Sequence, residues 1–234
     1  MSGDLIDTTE MYLKSVFELE EEGVVPMRAR IAERLDHSGP TVSQTVARME
    51  RDGLIQLEED RHLTLTPEGR RIATEVMRKH RLAERLLTDH IGLEFPYVHE
   101  EACRWEHVIS EAVERKIAAL IKAPFVDPYG NPIPGLEALG IEGEYNPGVS
   151  GDMHRLSDLL GKGKDVKQFS GTLLRIGEPL QIDVDLLADF ADAGLLPGAS
   201  IEVTSGPRGV KLVGESGTPV HITLVDASHL IVRV

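Results

Sequence analysis

The stretch His99-Glu100-Glu101-Ala102-Cys103-Arg104-Trp105-Glu106-His107 concentrates three kinds of metal ligand in nine positions. On a helix Cys103, Glu106 and His107 stand at i, i+3 and i+4 and share one face. Thiolate, carboxylate and imidazole together suit a divalent transition ion. His99 lies one turn before Cys103, and His80 and Glu84 upstream are again i, i+4. His80, Glu84 and His99 therefore make a second candidate cluster. A helix rises about 12 Å from His99 to His107, at roughly 1.5 Å per residue. That is too far for one mononuclear site, so two are expected. A lone cysteine is more often a buried apolar residue, and a lone His–Glu pair more often a surface ion pair. Here His80, His99, Cys103 and His107 gather four of the ten residues that are His or Cys, which favours metal binding. Trp105 and Val108 are assigned to the core.

Two amphipathic helices must carry these groups. Thr66-Pro67-Glu68-Gly69 leads into one expected from Arg70 to about Ile91, with Ile72, Val76, Leu82, Leu86 and Leu87 inward and Ala73 and Ala83 allowing close approach. A second is expected to run unbroken from about Tyr97 to Ile121. Asp127 to Gly135 is a turn-rich excursion, and Leu136 to Leu139 is at most one helical turn. Two such helices beside a DNA reader suggest a twofold dimer surface.

The segment before them predicts that reader. Asp7, three residues before Glu10, opens a first helix carrying Met11, Leu13, Val16, Phe17 and Leu19, and Gly23 ends it. Arg28 to Leu35 is a short helix, Asp36-His37-Ser38-Gly39 a turn, and Thr41 to Asp52 the next helix, with Pro40 tolerated at its start. Leu54 to Leu57 and Leu63 to Thr66 form a hairpin. Helix, turn, helix and ribbon make a winged helix-turn-helix. The second helix exposes Thr41, Ser43, Gln44 and Thr45 near its positive end, where Gln can read adenine and phosphate is favoured. Arg28, Arg30, Arg48, Arg51 and wing-tip Arg61 are cations for flanking phosphates.

From about Met153 the pattern turns to short strands at 173–176, 200–204, 210–213, 220–224 and 230–234, with one short helix at 186–193. A small five- or six-stranded barrel fits that length. The whole reads as a multidomain α+β chain: residues 1–73 a DNA-binding winged helix-turn-helix, 74–142 a helical dimerisation and metal-binding domain, 143–152 a linker rich in Gly, Pro, Asn and Ser, and 153–234 the β domain.

Composition narrows the function. The 234 residues carry a formal net charge of −14, and no third of the chain is basic, which excludes a general nucleic-acid coat. Arg28 to Arg51 nonetheless holds five basic to three acidic side chains, so contact with DNA is local and conditional. The single cysteine excludes a disulfide framework and four-cysteine clusters. No apolar run spans a membrane, and Met1 to Asp4 offers no secretory signal; a cytoplasmic protein without membrane contact is expected.

The chain resembles the diphtheria toxin repressor and iron-dependent regulator family over nearly its whole length. The resemblance lies in Asp7-Thr8-Thr9-Glu10-Met11-Tyr12-Leu13, in Arg28 to Leu35, in Ser38 to Leu54, in Met77 to Asp89, in Glu101 to Val108 and in Gly130-Asn131-Pro132-Ile133-Pro134-Gly135. It implies a cytoplasmic homodimer that represses iron-uptake and siderophore genes when Fe(II) fills two sites per chain. It implies a primary site of Met11, Cys103, Glu106 and His107, with the Cys103 carbonyl, and an ancillary site of His80, Glu84 and His99. The C-terminal domain of the family, SH3-like, completes the ancillary site with Glu and Gln, roles carried to Glu178 and Gln181. Family contacts to the double-stranded operator map onto Ser38, Pro40, Thr41, Ser43 and Gln44.

Met11 on the first helix would then tie that helix to the dimer region. Its thioether and the Cys103 thiol favour Fe(II) over manganese, with Co(II), Ni(II), Zn(II) or Mn(II) as surrogates in vitro. Two alternatives stand beside this: a manganese-responsive repressor of the same fold, and a metal-dependent hydrolase. The second lacks a nucleophile or base motif, so no catalytic activity is expected.

Overall fold

The computed structural model describes residues 7–142, 145, 146, 148, 151–161, 166–206 and 209–234. Five residues of the expected linker (143, 144, 147, 149 and 150) lie outside the described residues. The chain divides into two compact units, one of residues 1–83, 102–122 and 133–145, the other of 84–101, 123–132 and 146–234. Residues 74–142 contribute to both.

In the first unit α1 (Thr8–Glu21) starts where Asp7 accepts hydrogen bonds from the Thr9 and Glu10 amides, which satisfies donors that a helix start leaves free. Gly23 at φ 65° turns the chain out. Then come α2 (Arg28–Leu35), α3 (Gly39–Arg51), and the antiparallel pair β1 (Ile55–Leu57) and β2 (Leu63–Leu65). Ser38 caps α3, and Pro40 sits in its first turn. The core joins Tyr12, Leu13, Val16 and Phe17 of α1 to Ile31, to Val42, Val46 and Met49 of α3, and to Ile55 and Leu63 of the ribbon. The expected helix-turn-helix and wing are therefore built around one apolar centre.

Helix α4 (Pro67–Leu86) begins three residues earlier than its periodicity suggests, because the Thr66 hydroxyl accepts from the Gly69 amide at 3.1 Å. It runs on as a single π turn, Leu87–Ile91. The continuous helix expected over 97–121 is instead broken. A 3-10 turn (Phe95–Tyr97) leads into α5 (Val98–Trp105), and α6 (Glu111–Leu120) follows a turn. The amides of Val108 and Ile109 both bond to Trp105 O, and Ser110, extended at ψ 154°, caps α6 by accepting from Val113 N. Val108 is correspondingly 51% exposed and not a core residue.

The second unit is built on a six-stranded antiparallel sheet in the order β3-β8-β4-β5-β6-β7. Its elements in chain order are β3 (Met153–Arg155), α7 (Leu156–Leu160), β4 (Gln168–Ile176), α8 (Glu178–Gln181), α9 (Val184–Asp192), β5 (Ser200–Gly206), β6 (Gly209–Val213), β7 (Pro219–Ile222) and β8 (Leu230–Arg233). Alternating Ile201, Val203, Val210, Leu212, Leu230 and Val232 are buried on one face, as period two requires. Five strands fall where expected; β3, α7 and α8 are additions too short to show a period. The excursion at 127–131 is a tight turn in which Asp127 Oδ1 accepts from the amides of Tyr129 and Asn131. Gly130, at φ 87°, passes so close to Leu174 O that a Cβ there would lie 2.0 Å from it.

Candidate metal centre and nucleic-acid face

Within the first unit, the end of α5 and the turn after it carry Cys103, Glu106 and His107. Only Cys103 is helical; Glu106 and His107 follow in the turn, where the Glu106 amide still bonds to Ala102 O at 3.0 Å and keeps the one-face spacing. The Glu106 and His107 side chains are 2% and 3% exposed and meet at 3.2 Å between Oε1 and Nε2. The other His107 nitrogen, Nδ1, lies 2.6 Å from Glu10 Oε2 on α1. Glu106 Oε2 accepts from Lys14 Nζ at 2.8 Å and sits 2.6 Å from His80 Nδ1. Lys14 Nζ is also 3.2 Å from His80 Nδ1 and 3.9 Å from Cys103 Sγ. The shorter contact puts the His80 Nδ1 proton toward Glu106.

The charges follow from that geometry. Burial alone would raise the Glu106 carboxyl, but the Lys14 ammonium and hydrogen bonds from His107 and His80 outweigh it and hold it well below the usual carboxylate range. Burial lowers His107, yet hydrogen bonds to Glu10 and Glu106 prevail and lift it to about 9.

The structure brings Glu106 and His107 into contact and sets both Glu106 Oε2 and Cys103 Sγ against Lys14 Nζ, and it brings His80, expected in the second cluster, onto Glu106. Met11 is half-buried on α1, three residues before Lys14 and so on the same helical face. Two residues at the site escaped sequence reasoning, Glu10 and Lys14. Glu10 reads as a first-turn acid. Lys14 with Glu18 reads as a surface i, i+4 pair, though both are buried in fact.

The second unit assembles a different polar cluster. Glu84, the last-turn residue of α4, is fully buried and its Oε1 lies 3.3 Å from Nδ1 of the equally buried His99. The buried Tyr129 hydroxyl accepts from the His99 amide at 3.2 Å and donates to Phe95 O at 3.0 Å. Its phenol is raised far above its ordinary value, by burial first and then by the charges of Glu84, Asp127 and Glu178. Glu178 and Gln181 open and close the one-turn helix α8, with Pro179 in its first turn, so the two share a face. Gln181 is pinned through Nε2 to Ile176 O at 2.8 Å, and its buried Oε1 has no hydrogen-bond partner among the described residues. A buried carbonyl oxygen left so is costly, and it fits a cation ligand.

Both donor sets suit a divalent ion. The first offers thiol, carboxylate and imidazole; the second offers carboxylates, an imidazole and an amide oxygen.

On α3 the exposed positions are Gly39, Pro40, Thr41, Gln44, Ala47, Arg48, Glu50 and Arg51, while Ser43 and Thr45, both expected to be exposed, are half-buried. Ser38 Oγ lies 2.8 Å from Thr41 Oγ1 and also accepts from the Thr41 amide, which fixes the helix start. Arg28 opens α2 half-buried, and Arg61 stands exposed at the ribbon tip with a left-handed φ of 72°.

The comparisons name the family. Residues 4–63 match the family described as iron dependent repressor, N-terminal DNA binding domain. Residues 66–135 match iron dependent repressor, metal binding and dimerisation domain. The chain is 54% identical over 207 residues to the iron-dependent repressor IdeR of Mycobacterium tuberculosis, covering 88% of this chain and 87% of that one. It is 49% identical over 229 residues to the diphtheria toxin repressor of Corynebacterium diphtheriae, covering 97% of each. The crystal structure of T. acidophilum IdeR superposes with a TM-score of 0.73 at 28% identity, over 98% of this chain and 99% of that one. The chain belongs to the iron-dependent repressor family.

Proposed function

We propose that this protein is an Fe(II)-activated, DNA-binding transcriptional repressor that acts as a homodimer on operators of iron-acquisition genes in the cytoplasm. Its family supports a repressor and not an enzyme, which sets the hydrolase reading aside. The observation that carries the metal-activated reading is the meeting of α1 with the residues after α5: Glu10 and Lys14 touch His107 and Glu106. Met11, between them in sequence, joins Cys103, Glu106 and His107 as the activating ligand set. His80, Glu84, His99, Glu178 and Gln181 are the ancillary set, supported by the buried Gln181 oxygen. Two ions per chain follow from this assignment.

When bound, the ion supplies positive charge and fixed ligand directions. The rest is the work of the chain. Residues 1–73 read DNA through Ser38, Pro40, Thr41, Ser43 and Gln44, while Arg28, Arg48, Arg51 and Arg61 hold phosphates. Residues 74–142 supply the dimer surface and ligands, and 153–234 supply Glu178 and Gln181. Because α1 packs in the same core as α3, fixing α1 against the residues that follow α5 fixes the recognition helix. An ion shifts the balance only through its greater affinity for the DNA-ready arrangement.

The test is metal-dependent protection of promoter DNA by the wild type and by Cys103→Ala. Activation by Fe(II) or Ni(II) that survives intact in Cys103→Ala removes the cysteine from the activating set. A manganese-responsive role would show as derepression under manganese starvation with iron replete.

A further inference from the structure

Lys14 is a buried ammonium set among groups that would ligate a metal. It lies 2.8 Å from Glu106 Oε2, 3.9 Å from Cys103 Sγ and 3.2 Å from His80 Nδ1. A buried lysine is expensive unless paired, and the pairing here is with a buried candidate ligand, Glu106, at 2% exposure. Glu18, one turn along α1, lies 3.7 Å away. Glu18 in turn accepts from Arg34 of α2 at 3.1 Å. The groups set against the ammonium include Glu18 on its own helix, His80 from α4, and Cys103 and Glu106 from α5 and its following turn.

We infer that Lys14 is a built-in competitor for the primary metal site: its ammonium neutralises Glu106 until a divalent ion displaces it. The inference rests on the ligand assignment above. An ion held at about 2.1 Å by Glu106 Oε2, the oxygen that Lys14 Nζ contacts at 2.8 Å, lies within about 5 Å of an ammonium left in place, and two cations that close in a buried site repel strongly. The ammonium must therefore move before the ion is fully bound. Glu18 offers it a second seat one turn away. Displacement costs free energy at every binding event, so the apparent affinity is lower than the ligands alone would give. Lys14 thereby sets the metal concentration at which the protein responds. It is a specificity-determining residue for occupancy, and makes no claim on DNA.

The experiment measures Ni(II) and Co(II) affinity of the full-length protein directly, by calorimetry and by the Co(II) visible spectrum, in wild type, Lys14→Met, Lys14→Gln, Lys14→Arg and Cys103→Ala. Thermal unfolding in chelator and in Ni(II) is recorded for each. Lys14→Met and Lys14→Gln bind the ion about tenfold or more tightly than wild type, and lose thermal stability in chelator that Ni(II) restores. Lys14→Arg keeps the charge and stays within about threefold of wild type. Unchanged or weaker affinity in both neutral variants overturns the inference, since a merely structural lysine would not tighten metal binding when removed. Loss of binding in Cys103→Ala alongside that result leaves the ligand assignment standing. Wild-type affinity retained in Cys103→Ala would instead remove the assignment, and the inference with it.

Discussion

Glu10 Oε2 and His107 Nδ1 lie 2.6 Å apart, though 97 positions separate them in the chain. The contact fastens the first turn of α1 to the turn after α5 and leaves the other His107 nitrogen, Nε2, facing Glu106. A histidine with one nitrogen fixed by a carboxylate presents the other in a set direction, the arrangement by which outer groups orient metal-binding imidazoles.

Removing Glu10 should therefore weaken metal binding without removing a ligand. Glu10→Ala is expected to cost about 10–100-fold in Ni(II) affinity, while Glu10→Gln, which still accepts a hydrogen bond, costs less. Calorimetric titration of both variants decides this. Equal, wild-type affinity in both would take Glu10 out of the account.

The second cluster makes a separate prediction. Gln181 Oε1 is buried without a partner among the described residues, while Nε2 is tied to Ile176 O. Replacing Glu178 and Gln181 together by Ala should lower the number of tightly bound ions per chain from two to one and leave the other ion in place. Stoichiometry by elemental analysis after desalting reads this out. Two ions retained in the double variant would show that the C-terminal sheet domain donates no ligand.

Tyr129 carries a stability prediction. Its hydroxyl bridges the His99 amide and Phe95 O among three acidic side chains. Tyr129→Phe strands both partners in a buried place and should cost about 1–3 kcal/mol, the desolvation penalty of unsatisfied groups. Denaturant unfolding with unchanged slope measures it; a loss under about 0.5 kcal/mol would mean the bridge adds nothing net.

The recognition helix separates reading from holding. Gln44→Ala should cost about 1–3 kcal/mol on the cognate operator and relax preference at one base position. Arg48→Ala should weaken all sequences alike and lower the salt slope of binding by about one. Competition binding across a salt series checks both. A uniform loss from Gln44→Ala would reassign that residue to phosphate.

Much of this was legible in the residues. The first three helices and the ribbon announce themselves through the Asp7 cap, the turn at Asp36 to Gly39, Gly23, and the Val42, Val46, Met49 stripe, because local signals and burial point the same way there; that Ser38 caps the third helix, which starts at Gly39 rather than Thr41, shows only in the fold. The meeting of Glu106 and His107 with α1 was partly legible, because the spacing that sets Cys103, Glu106 and His107 on one face marked this stretch as polar and buried. The break itself was hidden: Val108 and Ile109 continue the apolar rhythm, and the one local signal is Ser110 followed by the acids Glu111 and Glu114, a helix-start pattern. Lys14 and Glu10 were hidden for another reason. A charged residue on an amphipathic helix reads as solvated unless its long-range partners are known, and those partners lie 92 and 97 positions away.

The central claim is that a divalent ion joining α1 to the residues after α5 creates the DNA-binding form. The most direct measurement is the anaerobic operator affinity of one protein preparation, first in chelator and then with Fe(II), at fixed salt. The account predicts binding about a hundredfold or more tighter with Fe(II), a difference that comes from preferential binding of the ion to the DNA-ready form. Equal affinity in the two conditions would contradict it.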